Sequence, residues 1–235
     1  MLEQELQWEK NIFRLLNGSE STFWDNFFWL YSSKWIWVPF YLCLFIVFAY
    51  KKKGMEIALI FLSVAVVILL CDQIASGFFK PVFHRFRPSH HPDFQDQVAI
   101  VRGYRGGRYG FISSHAANAF GFATFLALVF RNRLFTFVML LHALLTGYSR
   151  IYLGVHFISD IVAGSLLGIA IGYAIYLLFN QGRIHFLSVN KADLKRPLYS
   201  IQRVYLIGLV YLFMIIILLL FSSQIINLIY EPSAS

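Results

Sequence analysis

Six long apolar runs divide this chain and constrain its fold more than any other feature. A run of about 20 apolar residues suits a helix that crosses a bilayer, because a helix satisfies its own backbone hydrogen bonds where no water is present. The composition agrees, since 58% of the residues are hydrophobic and 14% are charged, against roughly a quarter charged in soluble domains. We therefore predict an all-α fold, a six-span transmembrane helix bundle. The runs cover residues 33–50, 55–79, 114–130, 134–149, 157–179 and 199–229.

The first 32 residues differ from these runs. Leu2, Leu6, Phe13 and Leu16 recur at helical spacing with charged residues between them, a pattern typical of an amphipathic helix at the membrane interface. The stretch that follows, FWDNFFWLYSSKWIWVPF, is as rich in Trp and Tyr as interfacial aromatic belts are. We predict a single membrane-embedded domain over residues 1–235, with residues 1–32 as an interfacial N-terminal segment.

Six spans would divide the connectors between two sides of the membrane. Side A carries the short connectors 51–54, 131–133 and 181–197, and side B carries both termini and the remaining connectors. Lys and Arg divide equally between the sides, so the positive-inside rule alone does not choose an orientation. The charges of side A have no evident chemical role, whereas those of side B gather in reactive segments. We therefore place the protein in a bacterial inner membrane, with side A cytoplasmic and side B facing the outside or periplasm.

Three segments of side B are rich in reactive groups. They are KPVFHRFRP (80–88), FISSHAANAF (111–120) and SRIYLGVHFISD (149–160). The first follows the second span, the second opens the third span, and the last joins the fourth span to the fifth. An alternating bundle brings all three to the same face, so residues 80–160 are predicted to form one site.

The segment SRIYLGVHFISD carries the pattern of a histidine nucleophile. If a helix begins between Gly154 and His156, then His156 and Asp160 lie four residues apart on one helical face. Asp160 accepts a hydrogen bond from one ring nitrogen of His156, which leaves the other nitrogen unprotonated. A helix N-terminus also disfavours the imidazolium form.

The other two segments supply what a phosphoryl group needs. Ser113 is placed to cap the helix of the third span, whose free N–H groups at Ser114 and beyond favour an anion. His115 is placed to give a leaving oxygen its proton. Phosphoryl transfer depends mainly on positioning and on neutralising charge, and three cations are available for that: Lys80, Arg87 and Arg150.

These residues form motifs that identify a family by resemblance. K-x6-R-P matches Lys80–Pro88 and S-R-x5-H-x3-D matches Ser149–Asp160, while I-S-S-H at 112–115 stands where the family has P-S-G-H. The chain resembles the type 2 phosphatidate phosphatase superfamily, which also includes soluble vanadium haloperoxidases and bacterial acid phosphatases. The motifs span residues 80–160, and the six-span layout extends the likeness over most of the chain.

The resemblance implies a role for each motif residue. His156 would attack phosphorus and form a phosphohistidine, Asp160 would orient it, and His115 would protonate the leaving alcohol and then activate water. The phosphate oxygens would be bound by Lys80, Arg87, Ser113, Ser114 and Arg150. The family uses no metal or other cofactor.

The chain departs from the family motif at two positions. Ile112 stands for proline and Ser114 for glycine. The serine keeps its backbone N–H but adds a side chain beside the phosphate. We expect this to change phosphate affinity and not to abolish activity.

The loop between the first two segments carries further charges. Arg102, Arg105 and Arg108 alternate with glycine and tyrosine, as in a flexible basic loop or in a clamp on an anionic headgroup, and they are candidate headgroup-binding residues. His90, His91 and Asp93 lie closely enough to suggest a metal site, but a solvated loop is the simpler interpretation.

We expect the substrate of a membrane-embedded phosphatase to be a lipid phosphate. The extra arginines favour a large or multiply anionic headgroup, such as that of lipid A or undecaprenyl diphosphate, over phosphatidylglycerol phosphate or phosphatidate. An anion channel or transporter is the non-enzyme alternative, but it predicts charges spread through the membrane depth instead of gathered at one face. We expect the lipid and the bilayer as partners and no nucleic acid; the sequence carries no signal of oligomeric state.

Overall fold

A computed structural model describes the backbone of residues 2–230 and the side chains of residues 7–230. The side chains of Leu2 and Leu6, and residues 231–235, lie outside the described part of the chain, and so do the predictions that concern them. Within it, all regular structure is helical apart from one isolated β-bridge, which confirms the predicted all-α fold. The helices are α1 (Leu2–Leu16), α2 (Thr22–Ser32), α3 (Val38–Ala49), α4 (Gly54–Phe83), α5 (Ser114–Phe130), α6 (Arg133–Tyr152), α7 (Ile158–Leu187) and α8 (Ile201–Tyr230).

Four of the described helices, α4, α6, α7 and α8, are long and apolar enough to cross a membrane, with 20 to 30 residues each. Two shorter apolar helices, α3 and α5, have 12 and 17 residues. Each of the six predicted apolar runs overlaps one of these six helices. Large apolar side chains such as Leu166, Leu178 and Leu209 are exposed, as the lipid-facing side of a membrane helix requires.

Helix α4 extends beyond its predicted apolar run. It passes through a π-helical segment, Gln73–Phe79, and ends with the turn Lys80–Phe83. Lys80 therefore belongs to the end of this helix and does not lie in a loop. The left-handed backbone of His84, with φ of 47°, ends the helix and turns the chain into the long loop.

Helices α5 and α7 pack through a seam of glycines. The one-turn spacing of small residues in GSLLGIAIG (164–172) predicts close helix packing. A Cβ atom on Gly164 would stand 2.5 Å from the carbonyl oxygen of Ser113, and one on Gly168 would meet that of Ala117. The predicted packing is confirmed, and it fixes the start of α5 against the start of α7.

Helix α1 docks against the remainder of the protein with one face. Glu9 and Phe13 are buried in this contact, whereas Trp8, Ile12 and Leu15 are exposed in a row at helical spacing. Phe13 packs against Phe94 of the long loop, with ring centroids 5.6 Å apart. The N-terminal helix is thus attached to the end of the bundle where the polar segments lie.

The glycine seam leads to a prediction about stability. We expect Gly168→Ala to lower the melting temperature in detergent, because the added methyl group forces α7 away from the backbone of α5; overpacking of this kind costs about 1–3 kcal/mol. The matched control is Ala170→Val, which adds carbon to an exposed position of the same helix. Circular dichroism during heating measures the melting temperatures of the two variants. Equal melting temperatures for Gly168→Ala and Ala170→Val would contradict the close packing of α5 and α7.

Candidate active site

Backbone hydrogen bonds bring the three reactive segments together. The two ends of the long loop pair with each other, because the Arg87 N–H donates to the carbonyl of Arg108 at 3.1 Å and the Gly110 N–H donates to that of Arg85 at 2.9 Å. The Ser113 N–H donates to the carbonyl of Asp160 at 3.0 Å. These hydrogen bonds bring residues that are far apart in sequence to one end of the bundle.

Two partners fix the protonation of the His156 ring. Arg87 Nη1 lies 2.9 Å from Nε2, and Asp160 Oδ2 lies 3.2 Å from Nδ1. Arginine can only donate, so Nε2 must be the acceptor and Nδ1 must carry the proton that it donates to Asp160. His156 is 1% exposed and Asp160 is fully buried. Nε2 therefore holds the lone pair that a nucleophile requires.

The predicted helix start between Gly154 and His156 is wrong by two residues or more. Helix α7 begins at Ile158, and His156 lies in the turn before it. The reason is the capping by Asp160, whose Oδ2 accepts the Phe157 N–H at 3.0 Å and so sets the first turn. The expected contact between His156 and Asp160 forms nonetheless, because the carboxylate reaches back over the helix end.

Burial and nearby cations keep His156 neutral. Desolvation lowers the pKa of His156 well below its ordinary value of 6.5, and the charges of Arg87, Arg150, Lys80 and Arg85 lower it further. The imidazole is consequently unprotonated at neutral pH.

The start of α5 forms the opposite wall of the site. Ser113 caps the helix by accepting the Ala116 N–H at 3.3 Å, as predicted. Ser114 Oγ accepts from Lys80 Nζ at 3.4 Å, so the serine that replaces the family glycine contacts a predicted phosphate ligand. His115 is exposed, and the cations Arg150, Arg87 and Lys80 act on it electrostatically.

Three cations of the site have no anionic partner within the described part of the chain. Among the described residues, no carboxylate lies within ion-pair distance of Lys80, Arg87 or Arg150. Arg87 and Arg150 are 8% and 3% exposed, and the Nε atom of each is buried without a hydrogen-bond acceptor. Burial lowers the pKa of Arg87, and the positive charge of Arg150 lowers it further. Unpaired buried guanidinium groups favour a bound anion, and their planar forks match phosphate geometry.

An apolar cavity of about 550 Å³ opens beside this site. Its polar end includes Ser114 and His115, and its apolar part runs between α3, α4 and α5. From Asp72 to Phe61 along α4 it extends about 16 Å, at 1.5 Å per helical residue. The cavity thus joins a cationic pocket to the apolar interior of the bundle.

The predicted headgroup arginines have partners within the protein. Arg102 donates to Asn26 Oδ1 at 2.8 Å, and Arg105 donates to the Ser89 carbonyl at 2.8 Å. Arg108 lies over the rings of Phe86 and Tyr109. All three arginines remain exposed on the loop, so these contacts hold them at the surface of the site-bearing end.

Four residues at the site were not found from the sequence. Arg150 donates to Ser32 Oγ and, at 3.2 Å, to Tyr104 OH. Arg85 Nη1 lies 3.0 Å from Asp160 Oδ1, and its Nη2 lies 2.5 Å from Glu9 Oε2. Arg85 could have been suspected because it stands two residues before Arg87. The other three lie in segments that carry no motif, so no local signal identifies them.

Comparison with known proteins decides the family. The model of the PAP2 superfamily matches residues 58–184, more than half of the chain. The chain belongs to the PAP2 superfamily. The resemblance inferred from the three motifs is thereby confirmed, and so is the enzyme class, a phosphoric ester hydrolase embedded in a membrane.

Individual relatives of this PAP2 protein carry more specific names. It is 44% identical over 189 residues to a lipid A 4'-phosphatase of Porphyromonas gingivalis, with 80% of each chain covered. It is 38% identical over 167 residues to a lipid A 4'-phosphatase of Bacteroides thetaiotaomicron, with 70% and 74% covered.

Two crystal structures are similar to the PAP2 protein. LpxE of Aquifex aeolicus matches with a TM-score of 0.52 and 27% identity, over 70% of this chain and 92% of that one. A transmembrane PAP2-type phosphatidylglycerolphosphate phosphatase of Bacillus subtilis matches with a TM-score of 0.55 over 76% of this chain and 87% of that one, and at 19% identity it supports the fold alone.

The unpaired cations predict anion binding. We expect inorganic phosphate or orthovanadate to raise the melting temperature, because binding at about 100 times Kd stabilises the folded state by about 2.7 kcal/mol. Lys80→Gln removes one cation and should weaken binding about tenfold. Lys51→Gln, an exposed residue of side A, is the charge-matched control. A Lys80→Gln protein that responds to both anions as strongly as the wild type would contradict this assignment.

Proposed function

We propose that this protein hydrolyses the 4'-phosphate of lipid A through a phosphohistidine on His156, at the outer face of a bacterial inner membrane. The observation that carries the proposal is the meeting of a cationic, histidine-bearing pocket with an apolar cavity at Ser114 and His115. A phosphate group fits the first and an acyl chain fits the second. The names of both curated relatives favour lipid A over the other lipid phosphates.

The chemistry begins at His156 Nε2. The lone pair attacks phosphorus, a P–N bond forms, and the bond from phosphorus to the sugar oxygen breaks as His115 gives that oxygen a proton. His115 then takes a proton from water, whose oxygen attacks phosphorus. The P–N bond breaks, which releases inorganic phosphate and returns the lone pair to Nε2. Asp160 keeps the Nδ1 proton in place throughout and stabilises the charge on the ring.

The cations stabilise the phosphoryl group in transit. Lys80, Arg87 and Arg150 neutralise its oxygens, and the N–H groups at the start of α5, by Ser113 and Ser114, bind them through the helix end. Arg87 has a double role, since its Nη1 also donates to His156 Nε2. The incoming phosphate must draw this guanidinium away before the lone pair can react.

The membrane arrangement belongs to the same proposal. Helices α3 to α8 form six spans, with α3 and α5 completing the four longer ones, and the single domain covers residues 1–235. Helix α1 lies at the interface with Trp8, Ile12 and Leu15 toward lipid, which their exposure supports. The site then faces the periplasm, where Arg102, Arg105 and Arg108 bind the anionic headgroup.

A panel of lipid phosphates tests the activity. We expect the purified protein to release phosphate from lipid A in the presence of a metal chelator, and to release less from lipid A without the 4'-phosphate, undecaprenyl diphosphate, phosphatidylglycerol phosphate and phosphatidate. His156→Ala should lose the activity by more than about 10³-fold, because it removes the nucleophile. His185→Ala, at an exposed histidine near the C-terminal end of α7, is the control for loss of a histidine. Full activity of His156→Ala, or dependence on a divalent metal, would refute the mechanism.

Cysteine labelling tests the orientation. In a variant without Cys43 and Cys71, we expect a membrane-impermeant maleimide to label Asp93→Cys in intact spheroplasts. Lys53→Cys, an exposed residue of side A, should react only after the membrane is opened. The reverse pattern would place the site in the cytoplasm, and labelling of both in intact cells would overturn the alternation of spans.

A further inference from the structure

A chain of charged groups links the N-terminal helix to the residue that orients the nucleophile. Glu9 Oε2 lies 2.5 Å from Arg85 Nη2, Arg85 Nη1 lies 3.0 Å from Asp160 Oδ1, and Asp160 Oδ2 lies 3.2 Å from His156 Nδ1. The four residues come from α1, the long loop, the start of α7 and the turn before it. Neither Glu9 nor Arg85 has a role in the mechanism described above.

We propose that Glu9 and Arg85 are positioning residues for catalysis, which hold the Asp160 carboxylate against His156 and make α1 part of the active site. The proposal rests on the proposed role of His156 as nucleophile. Arg85 makes no hydrogen bond to His156 and does not line the cavity, and besides Asp160 and Glu9 it donates to Ser159 Oγ. Its hydrogen-bonded connection to the nucleophile is Asp160.

Asp160 depends on Arg85 for its orientation. The carboxylate is fully buried, and Arg85 is the only lysine or arginine within ion-pair distance of it in the described chain. Arg85 occupies Oδ1, which leaves Oδ2 for the Phe157 N–H and the His156 Nδ1–H. Without Arg85 the carboxylate loses the donor to Oδ1, and it is left as a buried charge with no cation to balance it.

Glu9 binds both Arg85 and the N-terminal end of α7. Its Oε1 accepts the Ser159 N–H at 2.7 Å while its Oε2 binds Arg85. Ser159 is in the first turn of α7, where backbone N–H groups have no partner within the helix and a carboxylate is favourable. Both oxygens of Glu9 accept, so a glutamine in its place could satisfy only one of the two donors.

The residues that follow Glu9 contact both helices that flank the turn of His156. Phe13 packs on Phe157 with centroids 5.5 Å apart. Asn17 Nδ2 and the Gly18 N–H donate to the carbonyl of Tyr152 at 2.9 Å and 3.0 Å. The first helix and the turn after it thus contact the end of α6 and the start of α7, between which His156 lies.

Kinetics of single variants give the first test. With lipid A as substrate, we expect Arg85→Ala to lower kcat about 10–100-fold and Glu9→Gln about 5–10-fold, as is usual for residues that orient a reacting group from behind. KM should stay within about twofold, because neither residue touches the phosphate. Arg85→Lys, which keeps the charge, should recover part of the lost rate.

A double-mutant cycle separates positioning from mere stabilisation. If Arg85 acts through Asp160, then Arg85→Ala added to Asp160→Asn should lower the single-turnover rate less than twofold further. Enzyme in excess over substrate and long incubation make the slow Asp160→Asn rate measurable. Losses that multiply would show a general structural role and overturn the proposal.

Controls distinguish the remaining outcomes. Glu20→Gln removes an exposed glutamate from the same segment and should leave kcat unchanged, and melting temperatures report whether each variant is folded. If Arg85→Ala does not fold, Glu9→Gln and Arg85→Lys carry the test. Wild-type kcat in both folded variants would refute the positioning role alone, whereas an active His156→Ala would refute the function on which it rests.

Discussion

The buried carboxylate of Asp160 is the constraint on which the arrangement of the site depends. A charge in such a place is costly unless donors surround it. Arg85, the Phe157 N–H and His156 provide those donors, and the backbone carbonyl of the same residue accepts the Ser113 N–H. All three motif segments therefore meet at one residue. The shape of the long loop and the late start of α7 follow from these contacts.

The bilayer imposes a second constraint, because charged side chains must lie at the ends of the helices while apolar side chains face the lipid. The unpaired cations gather at one end of the bundle, and the cavity beside His115 continues from there between apolar helices. The glycine seam between α5 and α7 connects the two regions, because it holds the helix that begins after Ser113 against the helix that carries Asp160. The same close packing that stabilises the bundle thus sets the distance between the two walls of the site.

Sequence patterns predicted much of this protein because they are local. The apolar runs gave the positions of helices α3 to α8, and the Ser113 cap and the packing of Gly164–Gly172 were predicted from spacing. The motifs identified the family. The start of α7 was misplaced because Asp160, at its third helical residue, caps the helix by reaching backwards. Helix α4 continues beyond its apolar run, because the turn Lys80–Phe83 follows the π-helical segment that ends at Phe79.

The sequence by itself determined the helical bundle, the superfamily and the three motif segments, because hydrophobic period and residue type are properties of short segments. Only the tertiary structure decided how those residues are held. The contact of Arg85 with Glu9 spans 76 positions and that of Arg150 with Ser32 spans 118. Such pairs form when packed helices bring distant segments to one end of the bundle, and no local pattern records which side chains will meet there.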